Sequence, residues 1–365
     1  MSRFRIPFGS PAPREDGPAV RAAIERVVAS GWYVLGPEVA AFEAEFAVAC
    51  GAAHAVGVGT GTDAIALVLR ALGIGPGDEV ITTPLSAAYT ALAVMMVGAR
   101  PVFADIDPER LTLDPAAAER AVTPRTRAIL PVHLYGQAAD MDALLQVAAR
   151  HGLALVEDAC QAHLATAAGR PVGTIGVAGA FSFYPTKNLG ALGDGGAIVT
   201  SDGALATRLR RLRNGGQTDC YHHVEPGLNS RLDEMQAAVL RARLPFLCAW
   251  TARRRVVAAA YRAALIGAPV SVPRQFDAGH VYHLFPVRSA RRALLMQHLA
   301  ADGIETLVHY PVPIPRQPAL ASQSPADCPE ATRACEDVLS LPLHPGLTDQ
   351  DVAAVAASVH ACAEV

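Results

Sequence analysis

With 365 residues and an apolar fraction of 51 %, the chain is long enough to bury a sizeable core and to hold one large domain beside a smaller one. A net charge of −3 supplies no basic field for holding a polyanion, which argues against nucleic acid as a partner. The apolar share rests on alanine and valine while aromatics reach only 5 %, which suits alanine-rich helices on a valine-rich sheet, an enzyme-sized α/β protein, rather than an aromatic β-sandwich.

The opening MSRFRIPFGSPAPRED has no apolar signal-peptide core, and the longest apolar run, near Ala91 to Gly98, falls far short of the ~20 residues of a membrane helix. A soluble, unprocessed protein without a membrane partner is expected. Cys50, Cys160, Cys220, Cys248, Cys328, Cys335 and Cys362 are odd in number and never paired as C-x-x-C. They signal neither a zinc site nor a disulfide framework, and a reducing cytoplasm is the expected setting.

In chain order the first chemical signal is GVGTGTDAIALVLRALG, residues 57–73. Gly59, Thr60, Gly61 and Thr62 precede a helical apolar pattern, so backbone N–H groups and hydroxyls would face whatever sits at the helix N-terminus, and a phosphate fits there. No lysine follows the glycines and Thr62 stands at the third glycine position, so neither a P-loop nor the dinucleotide fingerprint is matched. A Gly-Thr turn capping a helix, with Asp63 in its first turn, explains this motif alone equally well.

From Val80 to Val199 short apolar runs alternate with helical periodicity: VITTP (80–84), RPVFADI (100–106), RAILPVHLYG (127–136), a helix over 140–152, then LALVEDAC (153–160). The alternation predicts a mostly parallel sheet covered by helices on both faces, with ligands at the carboxyl ends of its strands. Polar residues abruptly follow apolar ones at Thr60 to Asp63, Leu85 to Tyr89, Glu157 to His163 and Ser182 to Asn188. These four ends are candidates for one pocket.

The stretch LALVEDACQAH ends a buried strand in two carboxylates, Glu157 and Asp158, one of which can pair with a protonated nitrogen; Gln161 and His163 follow within a turn. A helix cap by Asp158 and an ordinary His163 remain open, and no ligand set completes a metal site. Next, FSFYP reads as a strand, TKNLGAL as a turn and GDGGAIVT as the approach to another strand, and the turn holds Lys187, the chain's one lysine among 31 basic residues. Unlike arginine, a lysine amine can lose its proton, attack, and form a Schiff base with an aldehyde. Pyridoxal 5′-phosphate (PLP) needs that amine, a carboxylate for its ring nitrogen and a phosphate cradle, and the chain supplies cradle, acid and lysine in that order.

The basic runs Arg208, Arg210, Arg211 and Arg213, and then Arg253 to Arg255, read as a solvated face. Beyond a helical, arginine-rich stretch from Arg231 to about Arg262, the segment from Val270 is proline-rich, with a strand-like HLFPV (283–287), a helix near Arg291 to Asp302 and helical periodicity after Thr348. This predicts an N-terminal segment and large domain over 1–245 and a smaller α+β domain over 246–365.

Taken together, GWYVLGPEVAAFEAEFA, GTGTDAIALVLRALGIGPGDEVITTP (59–84), PVFADIDPERLTLDP, ILPVHLYGQAADMDAL, VEDACQAH, FSFYPTKNLGALGDGGAIVT, YHH with NSRLDEMQAAVL, and HYPVPI with LSLPLHPGLTDQ resemble, in order, the motifs of the DegT/DnrJ/EryC1/StrS sugar aminotransferases. The resemblance runs from about Gly31 to about Val359. It implies the aspartate aminotransferase fold (PLP fold type I), a homodimer sharing its active sites, and PLP in a Schiff base with Lys187. By position, Asp158 would keep the ring nitrogen protonated and Gln161 would bond the cofactor's 3-oxygen. Thr60, Gly61, Thr62 and Ser182 would hold the phosphate, with Asn229 reaching in from the neighbouring subunit. Tyr184, His222, His223 and Tyr310 would lie toward the substrate. At the position of the usual ring-stacking aromatic stands Ala87, so either Tyr89 shifts in or something smaller covers the ring.

The resemblance further implies ping-pong transfer of an amino group from L-glutamate to a nucleotide-linked keto-deoxyhexose. KNLGALGDGG and YHH most resemble enzymes acting at C3; a C4 keto sugar or a cyclitol is the alternative acceptor. A sugar dehydratase, whose relatives replace the lysine with histidine, is opposed by Lys187, and a PLP-binding regulatory protein by the intact set of Lys187, Asp158 and cradle.

Overall fold

The computed structural model describes residues 4–9, 15–320 and 327–362. Among them, seven strands form one mixed sheet in the order His54–Val58, Gly196–Thr200, Ala178–Ser182, Ala154–Asp158, Thr126–Leu130, Glu79–Thr82, Arg100–Phe103. The last five strands in that order pair in parallel, and Gly196–Thr200 runs antiparallel to both its neighbours. The α/β pattern read from the sequence is therefore a mixed, mostly parallel sheet whose one reversed strand follows the lysine loop.

Alternate residues of each strand point to opposite faces, and they feed two different cores. Ala55, Ile81, Ile129, Leu155, Phe181 and Ala197 pack with Phe42, Phe46 and Leu144, from helices Pro37–Cys50 and Met141–His151. Val56, Val80, Ala128, Val156, Ala180 and Ile198 pack with Ile65, Leu67, Val68 and Leu69 of helix Gly61–Ala71. Both faces are covered, so the carboxyl edge of the sheet is where polar side chains can gather.

Two segments end differently from their sequence reading. The strand expected over FSFYP stops at Ser182; Phe183 still exchanges backbone bonds with Gly195 and Ala191 at 2.8 Å, but Pro185 has no N–H to continue a ladder. The arginine-rich helical stretch is two helices, Glu234–Arg243 and Leu247–Ala264, separated by a 3-10 turn at Leu244–Phe246 that contains Pro245.

Toward the C-terminus, Phe285–Arg288 pairs antiparallel with Val338–Leu341. Helices Leu247–Ala264, Arg292–Ala301 and Asp349–Ala361 close a further core through Val257, Tyr261, Leu295, Leu299, Val355 and Val359, which Ile6 joins. No helix among the described residues is long and apolar enough to cross a membrane.

Candidate active site

The strand Ala154–Asp158 presents two consecutive carboxylates, and the pleat sends them to opposite sides. Glu157, fully buried, accepts backbone N–H groups of Gly173, Ile175 and Gly176 at 2.7 Å each and a ring nitrogen of His133 at 3.0 Å. Because the other ring nitrogen of His133 accepts the Ala139 N–H, its Nε2 carries the proton and donates. Glu157 is thus committed to holding the 173–176 loop. Asp158 faces the other way: Oδ1 accepts the Cys160 N–H at 3.1 Å and Oδ2 accepts the Thr90 hydroxyl at 2.8 Å.

Gln161 lies one turn on. Its Oε1 accepts the Tyr135 N–H at 2.8 Å and its Nε2 donates to the Tyr310 hydroxyl at 3.1 Å. A backbone N–H can only donate, so the amide has one orientation and its NH2 side faces the site. Burial raises the Tyr310 hydroxyl to about 12, and it keeps its proton at neutral pH. The Tyr135 hydroxyl donates to the His309 carbonyl, which ties this motif to the sheet edge.

At the start of helix Gly61–Ala71, Thr60 caps the helix by accepting the Asp63 N–H at 3.0 Å, and Ser230 bridges Gly59 N–H and Asp63. The capped-turn reading is therefore met, yet it leaves the amides of Gly61 and Thr62 without a protein acceptor among the described residues. Those amides are the donors that a phosphate oxygen would take. A Cβ added at Gly61 would stand 2.7 Å from Cys160 Sγ and 2.8 Å from Ser182 Cβ, so three strand ends meet at this point. Gly61→Ala is accordingly expected to destabilise the fold by about 1–3 kcal/mol and to weaken PLP uptake; thermal melting of the apoprotein and PLP titration check the two effects separately.

Lys187 sits in the loop between strands Ala178–Ser182 and Gly196–Thr200, its N–H bonded to the Tyr184 carbonyl at 2.8 Å. Burial lowers the pKa of its amine from the ordinary lysine value, against the opposing pull of Cys160 and Asp158. Around it, burial and then the lysine charge push His163 down to about 3 and His309 to about 4, and hold His283 well below its usual value. These imidazoles are neutral at pH 7. His163 donates through Nε2 to the Ser182 carbonyl at 2.9 Å, and His283 bonds Asn188 at 3.2 Å. A cavity of about 410 Å³ reaches Lys187 from the side of His283, Glu305, His309 and His344.

The structure thus gathers Thr60, Gly61, Asp158, Gln161, Ser182, Lys187 and Tyr310 at one edge of the sheet. Tyr184 is 53 % exposed there. Ala87 is half-buried, and Tyr89, at 65 % exposure, does not turn inward beside it. Asn229, His222 and His223 are exposed; Asn229 bridges Asn214, His222 lies 3.5 Å from Asp219, and His223 bonds the Gly215 carbonyl, all outside the Lys187 cluster of a single chain. Thr90, Tyr135, His283 and His309 belong to the cluster without having been singled out as site residues from sequence. Among the described residues no group of three or more His, Cys, Asp or Glu side chains is arranged to hold a metal.

Residues 15–360 match the DegT/DnrJ/EryC1/StrS aminotransferase family. The chain belongs to that family. Over 333 residues it is 54 % identical to the dTDP-3-amino-3,4,6-trideoxy-alpha-D-glucose transaminase of Streptomyces venezuelae, covering 89 % of this chain and 87 % of the relative. The X-ray crystal structure of S. venezuelae DesV is similar at a TM-score of 0.97 and 51 % identity, with 99 % of each chain covered. NtdA from Bacillus subtilis, solved with bound cofactor PMP, gives a TM-score of 0.91 at 29 % identity, over 100 % of this chain and 86 % of that one. DegT/DnrJ/EryC1/StrS aminotransferases are PLP-dependent sugar transaminases, and the residues of this chain fit that cofactor: an amine with a lowered pKa, a buried carboxylate and two open amides at a helix N-terminus.

Proposed function

We propose that this chain holds PLP at Lys187 and transfers the amino group of L-glutamate to C3 of a nucleotide-linked keto-deoxyhexose. The observation that carries the reading is the placement of the one lysine of the chain at the sheet edge where Asp158 and the unspent amides of Gly61 and Thr62 also lie. When bound, PLP supplies an electron sink and the carbon that carries the amino group between substrates.

The protein's own part follows from its groups. The Thr60 hydroxyl has spent a lone pair on the cap and keeps its proton to donate, as does Ser182, which accepts the Tyr184 N–H at 3.3 Å. With the amides of Gly61 and Thr62 these donors hold the phosphate. Asp158 keeps the ring nitrogen protonated and Gln161 offers its NH2 to the ring's 3-oxygen. Lys187, whose amine gives up its proton more readily than an exposed lysine, carries the proton away from the α-carbon of the donor. Tyr310 and Tyr184 lie toward the sugar. Asn229, exposed in one chain, reaches the phosphate of a second copy in a homodimer, where His222 and His223 also meet substrate. Residues 246–365 form the smaller domain, a reading supported by the core that Val257, Tyr261, Leu295 and Val355 close together with Ile6, and the enzyme works in the cytoplasm. The 3-amino product named for the S. venezuelae relative supports C3, as does KNLGALGDGG.

Adding L-glutamate to the purified, yellow holoenzyme is expected to convert its visible band to the pyridoxamine form. If neither glutamate nor any other amino acid shifts the band, the aminotransferase reading fails. Supplying a dTDP-linked 3-keto-6-deoxyhexose should then regenerate the band and yield a 3-amino sugar by NMR; amination at another carbon overturns the C3 assignment.

A further inference from the structure

Thr90 is the second residue of helix Tyr89–Met96, YTALAVMM, and is 2 % exposed in an otherwise apolar stretch. Burying a hydroxyl is unfavourable unless it finds a partner, and in a helix it commonly bonds back to its own preceding turn. This hydroxyl instead spans 68 residues of sequence to donate to Asp158 Oδ2 at 2.8 Å. The other oxygen of the carboxylate takes the Cys160 N–H at 3.1 Å. One donor on each oxygen, from two different elements, opposes rotation of the carboxylate about its bond to Cβ. Each oxygen keeps a lone pair for a further donor.

Resting on the proposed function, in which that further donor is the protonated ring nitrogen of the cofactor, we propose that Thr90 is the positioning residue that sets the Asp158 carboxylate to receive it. The same hydroxyl ties the acid strand to the helix that follows Ala87, where the family resemblance places the face of the ring. Thr90 therefore holds the ring's charge partner and its wall in one register. A hydrogen bond to a charged group in such a site is worth more than one between neutral groups, so its loss should be read at the cofactor and not only in the fold.

The test compares wild type, Thr90→Val and Thr90→Ser as holoenzymes. The readout is the pH titration of the visible band of the Lys187-bound cofactor, with PLP affinity from titration of the apoprotein alongside. The titratable and charged groups facing this site from the elements packed around it include Asp158, Cys160, Lys187, His163, His283, His309, Tyr310, Tyr135 and Arg254, with Glu305 and His344 along the cavity, and all are unchanged by either substitution. With the ring proton held less firmly, positive charge leaves the ring and the titrating nitrogen beside it becomes more basic. Thr90→Val is therefore expected to raise the midpoint by roughly one pH unit and to weaken PLP binding and slow glutamate conversion about tenfold or more; Thr90→Ser, which keeps the donor, returns the midpoint toward that of wild type.

A Thr90→Val titration that overlays wild type, whatever its melting temperature, overturns the inference, as does a Thr90→Ser midpoint displaced as far as that of Val. If Thr90→Val does not accumulate folded, Thr90→Ala carries the same expectation. A wild-type band that glutamate leaves unchanged overturns the proposed function while the Thr90 titration still decides this inference, and a wild type that takes up no PLP overturns both.

Discussion

Lys187→Ala is expected to abolish transamination while the purified variant still takes up PLP, now without the visible band of the lysine-bound cofactor. The proposed phosphate donors at Thr60 to Thr62 and the carboxylate of Asp158 are untouched by the truncation, so under the proposed function the cofactor would keep its other anchors. What disappears is the one side chain able to trade a proton at the reacting carbon, a contribution of about 10²–10⁴-fold in rate, together with covalent attachment. The Lys187 side chain has no hydrogen bond or ion pair among the described residues, so removing this partly buried cation should not lower the melting temperature of the apoprotein. Lys187→Arg is the sharper variant. It restores the charge with a group that does not deprotonate in proteins, and it should be as inactive as alanine. This is the chemical sense of a single lysine among 31 basic residues: elsewhere charge suffices. Full transamination in either variant, measured as glutamate-dependent product formation, would remove Lys187 from the mechanism.

The parts of this site that can be read from sequence are those where the backbone pattern and the chemistry change together. Thr60 to Thr62, Asp158 to Gln161 and Ser182 to Lys187 each end an apolar run with polar residues, and the sheet brings those ends into one place because parallel strands finish on the same edge. Which of Glu157 and Asp158 serves the site is a matter of pleat. Adjacent strand residues point oppositely, and only the neighbours show that Glu157 is spent on the 173–176 loop. Thr90 carries no local signal, since one threonine in YTALAVMM looks like a tolerated substitution on a buried helix; its meaning comes from an element 68 residues away. The same holds for Tyr135 and His283, whose partners Gln161 and Asn188 lie 26 and 95 residues distant. Asn229, His222 and His223 lie outside the Lys187 cluster of one chain; in the proposed homodimer they would act from a second copy, which no spacing within one sequence can specify.

Asp158→Ala is expected to cost about 10²–10³-fold or more in the rate of glutamate conversion while the protein still folds. The carboxylate is 4 % exposed, and its removal leaves the Thr90 hydroxyl and the Cys160 N–H without their acceptor, a penalty of about 1–3 kcal/mol per buried group. The apoprotein should therefore melt lower than wild type, yet remain folded at ambient temperature because neither core depends on this side chain. Asp158→Asn separates the two effects. Its amide oxygen can still accept from Thr90 or Cys160 and so recovers part of the stability, but it carries no negative charge to hold a proton on the ring nitrogen, and the rate should stay low. A structural role for Asp158 predicts the reverse, with rate following melting temperature across the two variants. Stopped-flow absorbance of glutamate addition, read beside melting curves of the same preparations, distinguishes the cases, and near wild-type turnover in Asp158→Ala would remove this residue from the chemistry.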